Sequence, residues 1–357
     1  MAPVRIDTAR AAARHWITTE GRAHPGYLGA YLTGSTTTLP DGAELPVGSD
    51  LDIVLVTREE PEGFKLGKFE HQGVLLEVSQ LGWEQLGPAE RVLTDHHLAP
   101  GLRHGIVVDD PGGAVGALQG EVAARFAEPE WIRARCRNVH EKITAGLAHH
   151  DPEQPWHRQV SGWLFPTGIT THLVLVAALR NPTVRLRYLR AREVLAELGL
   201  SAHYPGLLRL LGADELTPGQ VRHHLDTLAV TFDETVVAAR TPFPFSTDIS
   251  PQARPIAIDA AHHLVARGDH REAMFWTVAT FARCHAVLAV DAPAAHERLT
   301  PHFTAAVADL GINTTSDLLA RRQATLAALP GLRDLTERII TTGPGPDRPA
   351  ARRRSRS

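Results

Sequence analysis

Two aspartates one residue apart, Asp50 and Asp52, introduce the apolar segment Leu51–Thr57 (LDIVLVT). The β-branched and large apolar residues of this segment predict a strand. Residues i and i+2 of a strand project from one face, so the two carboxylates lie side by side while Leu51 and Ile53 pack behind them. Like charges held this close repel unless a divalent cation lies between them. The pair therefore predicts a metal site.

A third carboxylate, Glu77, lies further along the chain, inside the predicted strand Val74–Gln80. Burying an unpaired charge among apolar strand residues is costly, so Glu77 is expected to face a site. Upstream of the aspartates, another predicted strand ends in Gly34 and Ser35. Glycine lets the backbone approach a phosphate closely, and Ser35 offers a hydroxyl and an amide at the start of an expected helix, where anions bind well.

A phosphate cradle, a pair of metal-binding aspartates and a third carboxylate form the set that nucleotidyl transfer requires. A divalent ion neutralises the triphosphate, and an acceptor oxygen attacks the α-phosphorus in line. Residues 30–80 resemble the Gly-Ser…Asp-x-Asp signature of the DNA polymerase β-like nucleotidyltransferase superfamily. In particular, they resemble the small-molecule branch, which includes the aminoglycoside and lincosamide nucleotidyltransferases.

This resemblance implies that Asp50, Asp52 and Glu77 hold Mg²⁺, with two ions expected and Glu77 acting as ligand or base. It also implies that the triphosphate is held by residues of the two neighbouring loops, namely Gly34, Ser35, Thr36 and Ser49. Ser35 and Asp50 are fifteen positions apart, a handful more than in the family pattern. The extra residues predict an insertion that reshapes the nucleotide pocket.

The elements that must position these residues change character near residue 128. Before it, short apolar runs alternate with turns and helical stretches. Strands are predicted at Gly29–Thr33, Leu51–Thr57, Val74–Gln80 and Gly105–Val108, and helices at 6–23, 90–98 and 114–127.

After residue 128, strand signals nearly vanish and Pro or Gly punctuates a series of helical patterns. Helices are predicted at 129–149, 155–165, 169–180, 183–199, 217–239, 253–268, 270–290, 293–309, 315–328 and 331–342. The predicted fold class is α+β: a catalytic domain over 1–128, which the resemblance identifies as polymerase β-like with a small mixed sheet, then an all-α bundle over 129–342. The Arg-rich segment 343–357 is predicted to be a disordered tail.

The composition limits the class of protein and its expected cellular location. The formal charge of −3 disfavours a general polyanion binder, and the 22% of charged residues is typical of a globular protein. Two cysteines cannot form a disulfide framework, and the N-terminus has no apolar core of signal-peptide length. The most apolar stretch, His172–Leu179, is shorter than a membrane span. We therefore expect a cytoplasmic protein with no membrane segment, and the oligomeric state stays open.

Several basic residues have two interpretations. Lys65 and Lys68 could meet phosphate, but nearby glycines favour an exposed hairpin with solvated lysines. The adjacent histidine pairs favour surface or helix-end positions, since neighbours on a helix do not face one another. His96 or His97 as a base is the alternative.

The segment around Arg180, Arg185 and Arg187 favours an ordinary amphipathic helix entry. Alternatively, these arginines form a wall that faces the site, where their planar donors suit phosphate, and Arg185 is then a candidate nucleotide contact. The apolar loop Thr241–Ser250 could line a pocket or merely cover the bundle. Phe275, Trp276 and Phe281 are predicted to be core residues.

Together these patterns predict an enzyme that transfers a nucleoside monophosphate, AMP from ATP in the first instance, to a hydroxyl of a small molecule and releases pyrophosphate. Two alternatives stay open. One is nucleotidylation of tRNA or protein by a toxin-like member of the superfamily. The other is a nucleotide-binding sensor without catalytic activity. The modest charge disfavours a nucleic-acid surface, and the intact carboxylates disfavour the sensor.

Overall fold

The computed structural model describes residues 4–46, 48–60 and 66–342. Lys65 and the predicted tail at 343–357 lie outside the described residues. Within them, the chain is mixed α+β, with many helices and a small five-stranded mixed sheet. The coarse fold class predicted from the sequence is confirmed, and its division into two domains stays a prediction.

The strands all precede residue 110 among the described residues. They are β1 (Tyr27–Thr33), β2 (Leu51–Thr57), β3 (Gly67–His71), β4 (Val74–Gly82) and β5 (Ile106–Asp109). Their order in the sheet is β3-β4-β2-β1-β5. Only the β2–β4 pair is parallel among these strands, and the remaining neighbours are antiparallel. Four of these strands match the sequence prediction closely, and β3 completes the hairpin with β4.

The helices follow 3.6-residue apolar patterns, and most begin near the predicted residues. They are α1 (Ile6–Thr19), α2 (Trp83–Leu86), α3 (Ala89–Thr94), α4 (Leu98–Arg103), α5 (Ala114–Arg125), α6 (Pro129–Ala148), α7 (Trp156–Gly168), α8 (Thr170–Ala177), α9 (Arg187–Glu197), α10 (Tyr204–Leu211), α11 (Pro218–Ala238), α12 (Ala260–Ala266), α13 (His270–Asp291), α14 (Pro293–Ala308) and α15 (Thr315–Thr342).

Both faces of the sheet are covered. On one face, Ala9, Ala13, Trp16 and Ile17 of α1 pack against alternate residues of β1, β2 and β4. On the other face, apolar residues of α3, α4 and α5 pack against the opposite set, including Val54. Because side chains alternate along a strand, burial on both faces fixes the register that presents Asp50 and Asp52 at the start of β2.

The helices after residue 128 enclose a separate and larger core, which extends from Ile132 to Ile339. Two predictions for this half differ from the structure: one helix boundary is wrong and one helix is missing from the prediction. Helix α15 runs through Pro330, where a break was expected, because Leu329 and Leu335 are both buried and hold the axis continuous. Helix α10 was not predicted, although Pro205 in its first turn is a favourable start.

Two apolar stretches, Trp156–Ala177 and His270–Asp291, have the length and composition of a membrane span. In each, 72% of the most apolar window is buried inside the protein. Core helices of soluble proteins share this composition. The stretch His172–Leu179, expected to be too short for a span, thus overlaps a longer apolar segment, and the expected location stays a prediction.

Candidate active site

The three predicted carboxylates lie together at one edge of the sheet. Asp52 pairs with Glu77 across the parallel β2–β4 ladder and with Thr33 across β1. Asp50 precedes β2 by one residue. One carboxylate oxygen from each of Asp50, Asp52 and Glu77 lies within 4.8 Å of the others. This spacing is compatible with shared oxygen ligands of a hard divalent cation.

Gly34 is required by the close approach of Asp52. Its φ is +79°, and a Cβ at this position would lie 1.8 Å from Asp52 Oδ2. The helix expected after Ser35 is absent, because residues 35–38 form a turn instead. The Thr37 hydroxyl donates a hydrogen bond to the Gly34 carbonyl at 3.0 Å. The anion cradle predicted here therefore lacks a helix dipole and has only the turn's own amides and hydroxyls.

Arg10 of α1 stabilises this turn and was missed by sequence reasoning. Its Nη2 donates to the carbonyl oxygens of Thr36, Thr37 and Leu39 at 3.0, 3.1 and 3.0 Å. Its Nη1 lies 2.5 Å from Asp41 Oδ1. The carbonyls that a helix would have satisfied are thus satisfied by one guanidinium, which fixes the loop between β1 and β2 against α1.

Lys68 of β3 was expected to be solvated, and this prediction is wrong. Its side chain is 8% exposed, and its Nζ lies 2.5 Å from Glu77 Oε2, 2.8 Å from Asp248 Oδ1 and 3.4 Å from Asp50 Oδ2. Asp248 in turn accepts a hydrogen bond from Arg283 Nη1 at 2.9 Å. The glycine-rich hairpin is present, but Asp248 of a distant loop covers it and draws the ammonium inward.

Burial and the neighbouring charges together shift the pKa values of this cluster. Burial raises the pKa of Asp50 above its usual value; the charge of Lys68 opposes this effect and that of Glu77 adds to it. Burial alone would lower the pKa of Lys68, but the nearby carboxylates of Asp50, Asp248 and Glu77 outweigh it and raise the pKa. Lys68 is therefore charged at physiological pH and supplies the positive charge among the carboxylates.

The carboxylates open into a cavity of about 450 Å³ between the sheet and the later helices. We call its two sides the sheet wall and the helical wall. The sheet wall comprises Gly34, Ser35, Ser49, Asp50, Asp52, Lys68 and Glu77. The helical wall comprises Arg185, Asp248, Trp276 and Arg283. The Arg283 Cζ lies 4.9 Å from the centre of the Trp276 ring.

The three candidate arginines have different positions. Arg185 lines the cavity; burial lowers its pKa and the charge of Asp50 opposes this effect. Arg187 turns into the core, where its Cζ lies 3.9 Å from the centre of the Phe275 ring. Arg180 forms an exposed ion pair with Glu197 at 2.7 Å. Only the first of the three thus faces the carboxylates.

The lining of the same cavity shows where several other candidate residues lie. Ser49 lines it, whereas Thr36 is 3% exposed and buried within the turn, outside the cavity lining. The loop Thr241–Ser250 contributes Asp248, so it does line a pocket. Trp276, expected in the core with Phe275 and Phe281, lines the cavity instead, because α13 turns one side of its helix toward the site.

Gly48 brings the end of the loop between β1 and β2 against the helical half. Its φ is +70°, and a Cβ there would lie 2.7 Å from Ala260 Cβ and 2.8 Å from the Pro255 carbonyl oxygen. Pro255–Asp259 is a π-helical segment that precedes α12. Such segments interrupt regular helices and occur frequently at functional sites. Ile256 and Ala257 of this segment line the cavity.

His96 and His97 lie in the turn between α3 and α4 rather than in the helix predicted over 90–98. Since they are not on a helix, their rings can approach, and the ring centres are 4.2 Å apart. His96 is 1% exposed, so the predicted surface position is wrong for it. His97 lines the cavity.

No model of a known protein family matches this chain, and no curated protein matches it in sequence.

Proposed function

We propose that the protein is a Mg²⁺-dependent nucleotidyltransferase that transfers AMP from ATP to a hydroxyl of a small molecule and releases pyrophosphate. The observation that carries the proposal is the group of three carboxylates, Asp50, Asp52 and Glu77, at the mouth of a cavity lined by arginines. In this proposal, residues 1–128 form a polymerase β-like catalytic domain and residues 129–342 form the helical domain that holds the acceptor.

The carboxylates suit the metal by their chemistry. Mg²⁺ prefers carboxylate oxygens and is bound by one or two protein carboxylates together with substrate phosphates. Asp50, Asp52 and Glu77 would hold it, and Lys68 would move from the carboxylates as the ion enters. When bound, the ion neutralises the triphosphate and favours attack at the α-phosphorus.

The positively charged side chains of the cavity are placed to bind the phosphates. Lys68, Arg185 and Arg283 border the cavity. Their N–H groups can donate hydrogen bonds to the phosphates and stabilise the negative charge that develops on the leaving pyrophosphate. The acceptor oxygen forms a bond to the α-phosphorus while the bond from that phosphorus to the bridging oxygen breaks. The proton of the acceptor hydroxyl passes to a carboxylate of the sheet wall, for which Glu77 is the candidate.

The acceptor would lie against the helical wall. Trp276 offers an apolar face, and Asp248 offers a charged group suited to a polar molecule. A cavity of about 450 Å³ is within the range of small-molecule sites. Modification of tRNA or protein and nucleotide sensing without transfer are the two alternatives, and neither is favoured by a specific contact in the cavity.

The test is to incubate the full chain with each labelled nucleoside triphosphate and Mg²⁺, then with fractions of a cell extract. We expect label from ATP to appear on a small molecule, with release of pyrophosphate. Label on RNA or protein would favour the polymer-modifying alternative. Bound nucleotide without transfer to any fraction would favour the sensor. The control is Asp52→Asn, which should transfer no label.

A further inference from the structure

A second group of possible metal ligands lies beside the carboxylate cavity. One ring nitrogen from each of His96, His97 and His172 lies within 4.8 Å of the others. The His172 ring centre is 5.6 Å from that of His96 and 5.4 Å from that of His97. His96 and His97 come from the turn before α4, whereas His172 comes from α8. The cluster therefore joins the sheet-bearing half of the chain to the helical half.

Hydrogen bonds assign the proton on His96. Its Nδ1 lies 2.7 Å from Asn138 Oδ1, and its backbone N–H donates to the same oxygen at 3.4 Å. Since a backbone N–H can only donate, the Asn138 oxygen is the acceptor for both groups. Nδ1 of His96 therefore carries the proton, and Nε2 carries the lone pair.

His172 is assigned in the same way. Its Nε2 lies 3.2 Å from the carbonyl oxygen of Thr183, which can only accept, so Nε2 carries the proton and Nδ1 carries the lone pair. His96 and His172 are 1% and 0% exposed. Within the part of the chain that the structure describes, neither His96 Nε2 nor His172 Nδ1 has a hydrogen-bond partner. Two buried lone pairs thus lack a donor, which is costly unless another group occupies the space between them.

This arrangement is the one that metal-binding histidines adopt. A ligating histidine almost always donates its other N–H to a carbonyl or carboxylate oxygen, which fixes the ring and its tautomer. Three histidines with a fourth position left for water form a known type of zinc site. Here the Asn138 and Thr183 oxygens are the outer acceptors for His96 and His172, and His97 completes the set.

The surroundings favour neutral imidazoles and a borderline transition-metal ion. The hydrogen bonds to Asn138 and Thr183 leave His96 and His172 as neutral rings, and the His97 ring is accessible from the cavity. Three uncharged nitrogen ligands suit zinc-type ions and do not suit Mg²⁺. Of the nearby charges, Arg187 and Lys142 oppose a cation and Asp95 favours it. Binding must therefore rest on the nitrogen lone pairs rather than on net charge.

We propose that His96, His97 and His172 bind one divalent transition-metal ion of the zinc type, which fastens the turn before α4 to α8 and so holds the two walls of the cavity at a fixed separation. The Thr183 carbonyl belongs to the segment that carries Arg185, so the ion also supports the helical wall. This site is independent of the carboxylates and of the nucleotidyltransferase proposal.

The experiment uses the full chain stripped of metal with a chelator and titrated with Co²⁺ as a spectroscopic probe. The titration is made in the Asp52→Asn variant, so that the carboxylates contribute less. We expect one equivalent of Co²⁺ to give the intense visible absorption of a tetrahedral site, and Zn²⁺ to displace it. Zn²⁺ should also raise the melting temperature of the otherwise unchanged chain.

The variants separate metal ligation from packing. His97→Ala, at an accessible ring, should fold and lose Co²⁺ affinity by about 100-fold, and Asn138→Leu should lose about tenfold through the outer contact. The control His263→Ala, at an exposed histidine of α12, should bind as before. All these variants are made in the Asp52→Asn chain. Equal Co²⁺ binding with and without His97→Ala, or no tetrahedral spectrum in the Asp52→Asn chain itself, would overturn the proposal. A buried water would then satisfy the two nitrogens.

Discussion

The two walls of the cavity are built differently. Asp50, Asp52 and Glu77 of the sheet wall are held by the hydrogen-bond ladder between β2 and β4. Arg185, Asp248 and Arg283 of the helical wall come from three separate segments, of which the last two are joined by an ion pair between Asp248 and Arg283. A ladder keeps its geometry when one side chain changes, whereas a wall of separate segments can be altered piece by piece. We infer that the chemistry belongs to the sheet wall and substrate binding to the helical wall, where Arg185 contacts ATP and Trp276 contacts the acceptor.

The strongest test of this division is Asp52→Asn. If the sheet wall carries the chemistry, losing one metal ligand should cost about 4 kcal/mol of transition-state stabilisation, about 10³-fold in kcat. The melting temperature should not fall, because one of several like charges is removed. Steady-state kinetics and calorimetry measure both. Asp334→Asn, at an exposed aspartate of α15, is the control, and loss of activity there would show a general defect.

The second test concerns the counter-ion of the sheet wall. Lys68→Met removes a buried positive charge and leaves the carboxylates facing one another, which should lower the free energy of unfolding by about 3 kcal/mol in the absence of metal. Mg²⁺ should restore part of this loss, because it supplies the missing charge. Denaturant titration with and without Mg²⁺ measures the effect. Lys142→Ala breaks an exposed ion pair with Asp95 and should cost under about 1 kcal/mol. Equal losses in the two variants would contradict the charge argument.

The third test moves to the helical wall. Arg185→Ala should weaken ATP binding by about 2 kcal/mol, about 30-fold, with a smaller change in kcat, because a charged hydrogen bond to phosphate is lost. Arg180→Ala is matched to it in sequence but lies in an exposed ion pair, so its nucleotide affinity should be unchanged. Calorimetric titration with ATP distinguishes the two. A loss of kcat as large as that of Asp52→Asn would erase the proposed division between the walls.

The smallest effect is expected at Trp276. Trp276→Leu keeps an apolar side chain but removes the aromatic face, which should raise KM for the acceptor by about fivefold, about 1 kcal/mol, and leave KM for ATP unchanged. Trp131→Leu is the control, since Trp131 also packs under an arginine, with Arg125 Cζ at 4.8 Å, but lies outside the cavity lining. A change in ATP affinity in Trp276→Leu would show that this ring contacts the nucleotide rather than the acceptor.

Features that depend on residues close in sequence could be predicted, and features that depend on distant residues could not. Asp50 and Asp52 are two residues apart on a strand, so alternation alone aligns them, and Glu77 lies on a strand rich enough in apolar residues to be recognised. The two-sided burial of the sheet then brings them together. The same reasoning did not place Lys68. Glu77 lies opposite it in the β3–β4 hairpin, but Asp248, whose carboxylate covers the ammonium, is 180 positions away.

Other parts of the site carry no local signal. Arg10 lies on the face of an ordinary amphipathic helix, and only the folded loop reveals that it binds three carbonyls. The histidine pair at 96 and 97 was assigned to a helix, where neighbouring rings point apart, but the helix ends at Thr94 and the pair lies in a turn. The third ring of the cluster, His172, belongs to an apolar core helix and shares no spacing rule with them.

The position of Lys68 has a consequence for ion selectivity. A covalently attached ammonium competes for the carboxylates at a high effective concentration, whereas a dissolved ion must reach them from solution. A monovalent ion such as K⁺ brings the same charge as Lys68 and no advantage over it, whereas a divalent ion doubles the Coulomb attraction. We therefore expect that potassium at cellular concentrations does not bind the carboxylates of the sheet wall. Only a divalent ion should displace the Lys68 ammonium from them.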